Sequence, residues 1–437
     1  MTLKAGTGRS DISPRQSMFL VGYPHVERMS TGVHDPLYAS ALYLDDGATG
    51  VMSVALDVVY VSQRTTRECR AEIRRATGLP PENVLITATH THSGPVTTDS
   101  LVWEADPVVP PPDDDYMRLF HRGIVQAATS AYRNAEEAVL AITSARAEGV
   151  GGNRLSPDGV HDPEVGILYA KSKRDGKPLA LQVIYSMHPT VLHEDTTLAS
   201  ADFPGYTRRC LEDKLAGCRV LYHTGPCGNL SPRYHVSAQT FAEAERLGAK
   251  LAGFVCEAID DLCDEDFSDG PDIAAAAALV ELPGREFPSV AEAQADLDRV
   301  VERYNRLKRE NAGHGPIRTA ECETFGAEEK VALAKAQESG ELARFRSEHA
   351  PAEVQVLRIG DTFIAALPGE CFVDYGLRIK QHAPGRAFVV SMANGELQGY
   401  ITTPGARGYE ADLSTFGPES GSIMVDAALR LISELKA

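Results

Sequence analysis

Two histidines separated by one residue stand in Ala88-Thr-His-Thr-His-Ser-Gly-Pro95, where an apolar run gives way to turn residues. In an extended chain, side chains at i and i+2 share a face, so one of the imidazoles His90 and His92 can ligate a metal while the other lies beside it. The alternative is a pair of polar turn histidines. A third imidazole, His188, ends another apolar run in Tyr185-Ser-Met-His-Pro-Thr190, where Pro189 stops further ladder pairing. Two independent strands thus deliver imidazoles, and the expectation is that they do so at the same edge of one sheet. Catalytic zinc commonly takes three protein ligands and leaves a place for water, so a carboxylate is still required. Glu370 follows Pro368-Gly369 at a strand-to-helix transition, where helix capping is its other explanation. Tyr400, in Gly-Tyr-Ile-Thr-Thr, and Tyr409, in Gly-Tyr-Glu, come next; packing is the ordinary role of such tyrosines.

The apolar patterning supplies the elements that position these groups. Residues 40–44 and 51–56 read as buried strands joined at an Asp-Asp-Gly turn. A helical pattern over 62–77 stops at Gly78, and a strand over 84–89 runs into His90, a β-α-β order that implies a sheet with helices packed on it. A helix over 115–137 follows, then strands over 165–172 and 178–187 joined by Arg174-Asp-Gly-Lys177, a helix over 204–216, a strand over 219–224 and a helix over 237–262. Residues 286–350 differ: charged helical stretches over 289–312 and 326–347 flank a Gly/Pro joint at 313–316, which reads as an inserted helical hairpin with solvated faces. Strands over 353–359 and 362–367 then lead to Glu370 at the opening of a helix, and a last helix covers 421–437. The expected fold class is α/β: a mixed β-sheet core flanked by helices, with residues 1–437 as one catalytic domain and the hairpin inserted in it.

A formal net charge of -18, with no basic patch to offset it, excludes nucleic acid as an expected partner. No run approaches the ~18 apolar residues of a spanning helix and no signal peptide opens the chain, so a cytoplasmic protein without membrane insertion is expected. Eight cysteines are scattered without a Cys-x-x-Cys pair, which points to reduced thiols.

In their order along nearly the whole chain, several stretches together resemble the catalytic domain of the neutral/alkaline non-lysosomal ceramidase family. They are Gly32-Val-His-Asp-Pro-Leu-Tyr38, Leu56-Asp57, Thr89-His-Thr-His-Ser-Gly-Pro95, Asn153-Arg154, Met187-His-Pro-Thr190, Ser200-Ala-Asp-Phe-Pro-Gly205, Gly228-Asn-Leu-Ser-Pro232, Pro368-Gly-Glu370 and Gly399-Tyr-Ile-Thr-Thr403. The resemblance implies one zinc ion on His90, His188, Glu370 and Tyr400, with His92 and Tyr409 beside the reacting water and Arg154 in the substrate pocket. It implies metal-assisted hydrolysis of an amide. Asp57 and Asp202 are candidates to accept the other ring N–H of the ligating imidazoles, or to serve as caps. Ser231 reads as a turn hydroxyl, since no histidine–acid pair is at hand to activate it.

The chain departs from the family in places. Gly228-Asn-Leu-Ser-Pro-Arg233 replaces the family's Gly-Asp-x-Ser-Pro-Asn, and the β-sandwich that follows the family's catalytic domain is expected to be absent. Polar stretches such as Tyr23-Pro-His25 and Pro232-Arg-Tyr-His235 favour a small polar amide over ceramide, with Arg154 and Arg233 able to grip a carboxylate. The competing readings are ceramide hydrolysis itself, ester or lactone cleavage by the same chemistry, and a metal-stabilised binding protein without turnover. The hairpin could serve as a lid or as a homo-oligomer contact.

Overall fold

The computed structural model describes residues 2–99, 106, 108–397 and 399–436. Eight strands form one mixed sheet. They are β1 (Lys4–Asp11), β2 (Tyr38–Asp45), β3 (Gly50–Leu56), β4 (Val84–Ala88), β5 (Glu136–Arg146), β6 (Glu164–Ser172), β7 (Pro178–Tyr185) and β8 (Arg219–Thr224), in the order β8-β7-β6-β5-β1-β2-β3-β4. Only β3–β4 and β7–β8 pair parallel, and each needs a crossover. Helix α1 (Gln63–Thr77) supplies the first; the Ser62 hydroxyl accepts from the Thr65 amide at its start, and Gly78 ends it at φ +81°.

Helix α2 (Asp114–Arg133) is shorter than expected because the chain turns at Asn134 and enters β5 at once. The Glu and Ala residues there look helical, yet Ala138 and Leu140 alternate into an apolar layer. A short junction between β1 and β5, two residue pairs long, divides the sheet into halves. The sheet curls until its outermost strands meet: Thr87 Oγ1 on β4 lies 2.7 Å from His223 Nδ1 on β8, and Thr224 Oγ1 donates to the Thr89 carbonyl at 2.7 Å. The two histidine-bearing strands therefore stand far apart in strand order and are joined by curvature, not by sharing one edge of a flat sheet.

A second sheet has the order β9 (Ile273–Val280), β10 (Ala352–Ile359), β11 (Thr362–Ala366), β12 (Arg386–Val390). Its last two strands are parallel and connected through α8 (Val373–His382). Side-chain alternation sorts the core into layers. Ala39, Ala41, Val54, Ile86 and Val183 face α1, α2, α3 (Asp202–Lys214) and α4 (Phe241–Asp260). Leu42, Leu85 and Leu168 meet Leu357, Ile364 and Phe388 of the second sheet, whose other face packs Val356, Ala365 and Val389 on α8 and α10 (Ser420–Lys436). The result is a helix–sheet–sheet–helix sandwich, and burial on both faces explains the nearly unbroken apolar strands.

Between β9 and β10 lie α5 (Val290–Arg309), α6 (His314–Ser339) and α7 (Glu341–His349). Helix α6 starts at the expected joint rather than after it, and Gly340 at φ +82° separates it from α7. The insertion has a small core of its own around Phe287, Leu333, Leu342 and Phe345. It is not solvated on every side. Lys330 bridges Asp296 at 2.7 Å and Asp412 at 3.0 Å, pinning α6 to the short helix α9 (Tyr409–Asp412). Among the described residues no helix is long and apolar enough to cross a membrane.

Candidate metal centre

His90 and His92 leave the end of β4, and His188 follows β7. Each ring is aimed by a main-chain carbonyl: His90 Nδ1 lies 2.8 Å from Val59 O, His188 Nδ1 3.0 Å from Cys227 O and His92 Nδ1 2.9 Å from Gly22 O. A carbonyl can only accept, so Nδ1 carries the proton in all three rings and each Nε2 presents a lone pair. Those lone pairs converge. His90 Nε2 is 2.9 Å from His188 Nε2 and 3.4 Å from His92 Nε2. Two acceptors this close need something positive between them. The three imidazoles form a group that could hold a metal ion. Burial, with the His90 ring beside them, depresses His92 and His188 well below the ordinary imidazole range, which keeps both neutral with Nε2 unprotonated.

Asp57 and Asp202 do not touch these rings. Asp57 is spent on a buried bidentate pair with Arg208, both contacts at 2.6 Å, and Asp202 accepts from the Leu192 amide at 2.9 Å. Orientation by main-chain carbonyls replaces the expected carboxylate partners. His90 sits at φ +67°, a left-handed backbone that costs a non-glycine residue about 1–3 kcal/mol and is held by hydrogen bonds from its own amide to Val58 O and from Thr89 N to Leu56 O.

Glu370 does not open a helix. It forms a two-residue parallel pairing with Tyr400, Glu370 opposite Tyr400 and Cys371 opposite Ile401, and α8 begins only at Val373. Both residues follow a glycine in the left-handed region, Gly369 at φ +76° and Gly399 at φ +75°; a Cβ on Gly399 would lie 1.9 Å from Leu413 O. Glu370 Oε1 accepts from the Tyr60 hydroxyl. Its Oε2 lies 3.5 Å from His90 Nε2 and 3.7 Å from His188 Nε2, and takes no hydrogen bond among the described residues. Burial alone would raise this carboxyl, but His90 and the Tyr60 hydrogen bond hold it below its usual range. A buried, ionised, unpartnered oxygen beside three convergent lone pairs fits a bound cation.

The Arg154 guanidinium stands 5.1 Å over the Tyr400 ring and pairs with buried Glu410 at 2.8 Å, so its charge is answered within the protein. Burial raises the Tyr400 hydroxyl and Arg154 partly opposes that. Tyr409 packs edge-on to Tyr400 at 6.0 Å. Arg233 is exposed and lies over Tyr234, and Ser231 Oγ accepts from the Arg233 amide as a turn hydroxyl. A cavity of about 110 Å³ adjoins the cluster, lined by Tyr23, Tyr60, His92, Glu370, Tyr400 and Tyr409 among others.

Two contributors carry no sequence signal of their own. Tyr60 lies in the loop after β3, and only its reach to Glu370 marks it. Arg28 is fully buried and donates to His92 O at 2.8 Å and Thr196 O at 3.1 Å, bracing the histidine turn. An arginine in a polar run gives no hint of that.

This fold and buried donor set define a class, α/β proteins with a buried histidine cluster that could hold a metal ion. Residues 3–278 match the family described as neutral/alkaline non-lysosomal ceramidase, N-terminal, and the chain belongs to that family. A neutral ceramidase of Drosophila pseudoobscura pseudoobscura is 31% identical over 98 residues, a stretch that spans 22% of this chain and 14% of that relative. Among solved structures, a ceramidase complexed with C2 superposes with a TM-score of 0.78 at 18% identity, covering 100% of this chain and 75% of that one. Neutral ceramidase from Pseudomonas aeruginosa gives 0.75 at 19% identity, covering 99% and 75%. At these identities the likeness shows the shared fold. Family membership points to a hydrolase of the amide class.

Proposed function

We propose that the chain is a zinc-dependent amidohydrolase that cleaves the N-acyl bond of a small polar compound. The observation that carries this is the convergence of the His90, His92 and His188 Nε2 lone pairs on one another beside the unpartnered Glu370 Oε2, which lies 3.5 Å from His90 Nε2 and 3.7 Å from His188 Nε2. His90, His188, Glu370 and Tyr400 would hold the ion, and a set of imidazole, carboxylate and phenol donors suits zinc. When bound, zinc supplies polarisation of the amide carbonyl and acidification of a water molecule.

The chain's own residues do the rest. Glu370 is kept ionised by His90 and Tyr60. His92, neutral and with Nδ1–H fixed on Gly22 O, can accept the proton of the attacking water at Nε2 and return it to the departing nitrogen. Tyr409, whose hydroxyl burial keeps protonated, can donate to the carbonyl oxygen as charge builds there. Arg154 positions Tyr400. The acyl carbon gains a C–O bond, the C–N bond breaks, and acid and amine leave.

A small polar substrate is favoured over ceramide by the cavity. Its volume of about 110 Å³ falls below the ~300 Å³ at which pockets begin to bury drug-sized ligands, and Asp99, Asp106, Glu329 and Glu396 line it where alkyl chains would have to pass. The test is elemental analysis of the purified chain, with assay of short N-acyl amines and ceramide before and after chelation. Expected is one zinc per chain, turnover of short amides, loss on chelation and recovery on adding zinc. Turnover of ceramide in preference to short amides would restore the lipid substrate, and a metal-free, active protein would overturn the mechanism.

A further inference from the structure

Glu329 on α6 lines the same cavity as His92, Glu370, Tyr400 and Tyr409. It is 8% exposed, and its Oε2 has no hydrogen-bond partner among the described residues. Glu396, 7% exposed, lines the cavity as well: one oxygen meets His349 Nε2 at 3.3 Å and Oε2 has no partner. Asp99 and Asp106 extend the acidic wall. Nearby basic side chains already face other carboxylates. Arg154 faces Glu410, Lys330 bridges Asp296 and Asp412, and His25 lies between Asp106 at 3.6 Å and Glu328 at 2.7 Å.

A buried carboxylate without a counter-charge is costly to keep. Burial, together with Asp106 and Glu328, pushes the Glu329 carboxyl well above its ordinary range. Among the described residues no basic side chain pairs with Glu329. Helix α6 is fixed in place by Lys330 and by Gly326, where an added Cβ would lie 3.3 Å from Tyr409 Cα.

We propose that this wall is a subsite for a protonated amine on the substrate, with Glu329 as its anchor. The substrate class is a small N-acyl compound carrying a primary ammonium a few bonds from the scissile amide, an assignment that rests on the amidohydrolase reading. A carboxylate ligand would meet Asp99, Asp106, Glu329 and Glu396 together, and an alkyl chain would leave the oxygens of Glu329 and Glu396 dry and unpaired. An ammonium brings both a positive charge and three donors to the unpartnered Glu329 oxygen. The insertion thereby supplies specificity to a centre built by the two sheets.

Titration calorimetry of the full chain with butylammonium chloride and with butan-1-ol tests the subsite without relying on turnover. Butylammonium is expected to bind and butan-1-ol not. Glu329→Gln, which keeps the shape but cannot ionise to meet a cation, should weaken butylammonium binding about 10- to 100-fold, the range of a hydrogen bond to a charged group, and Glu329→Asp should retain part of it. Equal binding by wild type and Glu329→Gln overturns the subsite.

Competition between N-(4-aminobutyl)acetamide and N-pentylacetamide on the zinc-loaded chain should favour the cationic amide in kcat/KM, and the ratio should fall toward one in Glu329→Gln. Turnover of both at equal kcat/KM would retain the hydrolase and overturn the subsite. Glu329-dependent butylammonium binding without turnover of any amide would retain the subsite and remove the hydrolase reading.

Discussion

The two halves of the candidate metal centre are held in different ways. The histidine half comes from the curled eight-stranded sheet, and each ring is aimed by a main-chain carbonyl that belongs to the fold itself. The acid half comes from the loops of the four-stranded sheet, and its groups are aimed by side chains: Tyr60 on Glu370 and Arg154 on Tyr400. Backbone orientation survives most substitutions because every residue offers a carbonyl. Side-chain orientation is lost with one residue. The loops also differ in attachment. The loop after β12 docks on the first sheet through the Thr87–Ala393 bridge and a hydrogen bond from Ala88 N to Met392 O at 3.1 Å, so the acid half sits correctly only when both sheets are packed.

The largest expected effect comes from the histidine half, where no neighbour can replace a ring. His188→Ala should strip the metal on elemental analysis and reduce amide turnover to background, while the fold, read by circular dichroism, persists. Metal retained at wild-type stoichiometry would show that the acid half suffices. Arg154→Met should follow in size. It leaves Glu410 buried and unpaired, and breaking such a pair costs roughly 3–5 kcal/mol, visible as a lowered denaturation midpoint. An unchanged midpoint would mean that Glu410 finds another partner.

Tyr60→Phe sharpens the comparison, because it removes one hydroxyl and leaves all the proposed ligands. A loss of about 10–100-fold in metal affinity or turnover is expected, the range for partners that orient a ligand. No change would place Glu370 under main-chain control, like the histidines.

The smallest effect concerns His349, which ties α7 to Glu396 beside the acid half. Burial opposes its charged form, but the contact with Glu396 outweighs burial and raises its pKa above 6.5. A raised folded-state pKa gives stability that is fully present below 6.5 and is lost as the pH rises through the folded value. His349→Gln should therefore lower Tm more at about pH 6 than at about pH 9, by an amount typical of a single ion pair, about 1 kcal/mol or less. The reverse order would overturn this sign.

Much of the frame was legible because it depends on local rules. Continuous apolar runs bounded by turn residues marked β2, β3, β4, β6 and β7, and Gly78 closed α1. Strand β5 was hidden by helix-forming residues whose burial only the second sheet creates, and the start of α6 was hidden by Gly and Pro residues that occupy its first turn. His90, His92 and His188 were marked by type and neighbours, and Glu370 and Tyr400 by the family resemblance of the stretches around them. Tyr60, Arg28 and Glu329 were not, because nothing local distinguishes them from ordinary surface or packing residues.

Residue type and spacing by themselves marked His90, His92 and His188 as groups that could bind a metal and the strands that carry them, while Glu370 and Tyr400 entered the ligand set through the family resemblance. Tertiary structure alone decided that strands at opposite ends of the order meet, that carbonyls rather than Asp57 and Asp202 aim the rings, and that an insertion rich in charge turns a carboxylate inward. The reason is physical. Period and propensity act over a few residues, whereas sheet curvature and the desolvation of a charge depend on everything packed around them.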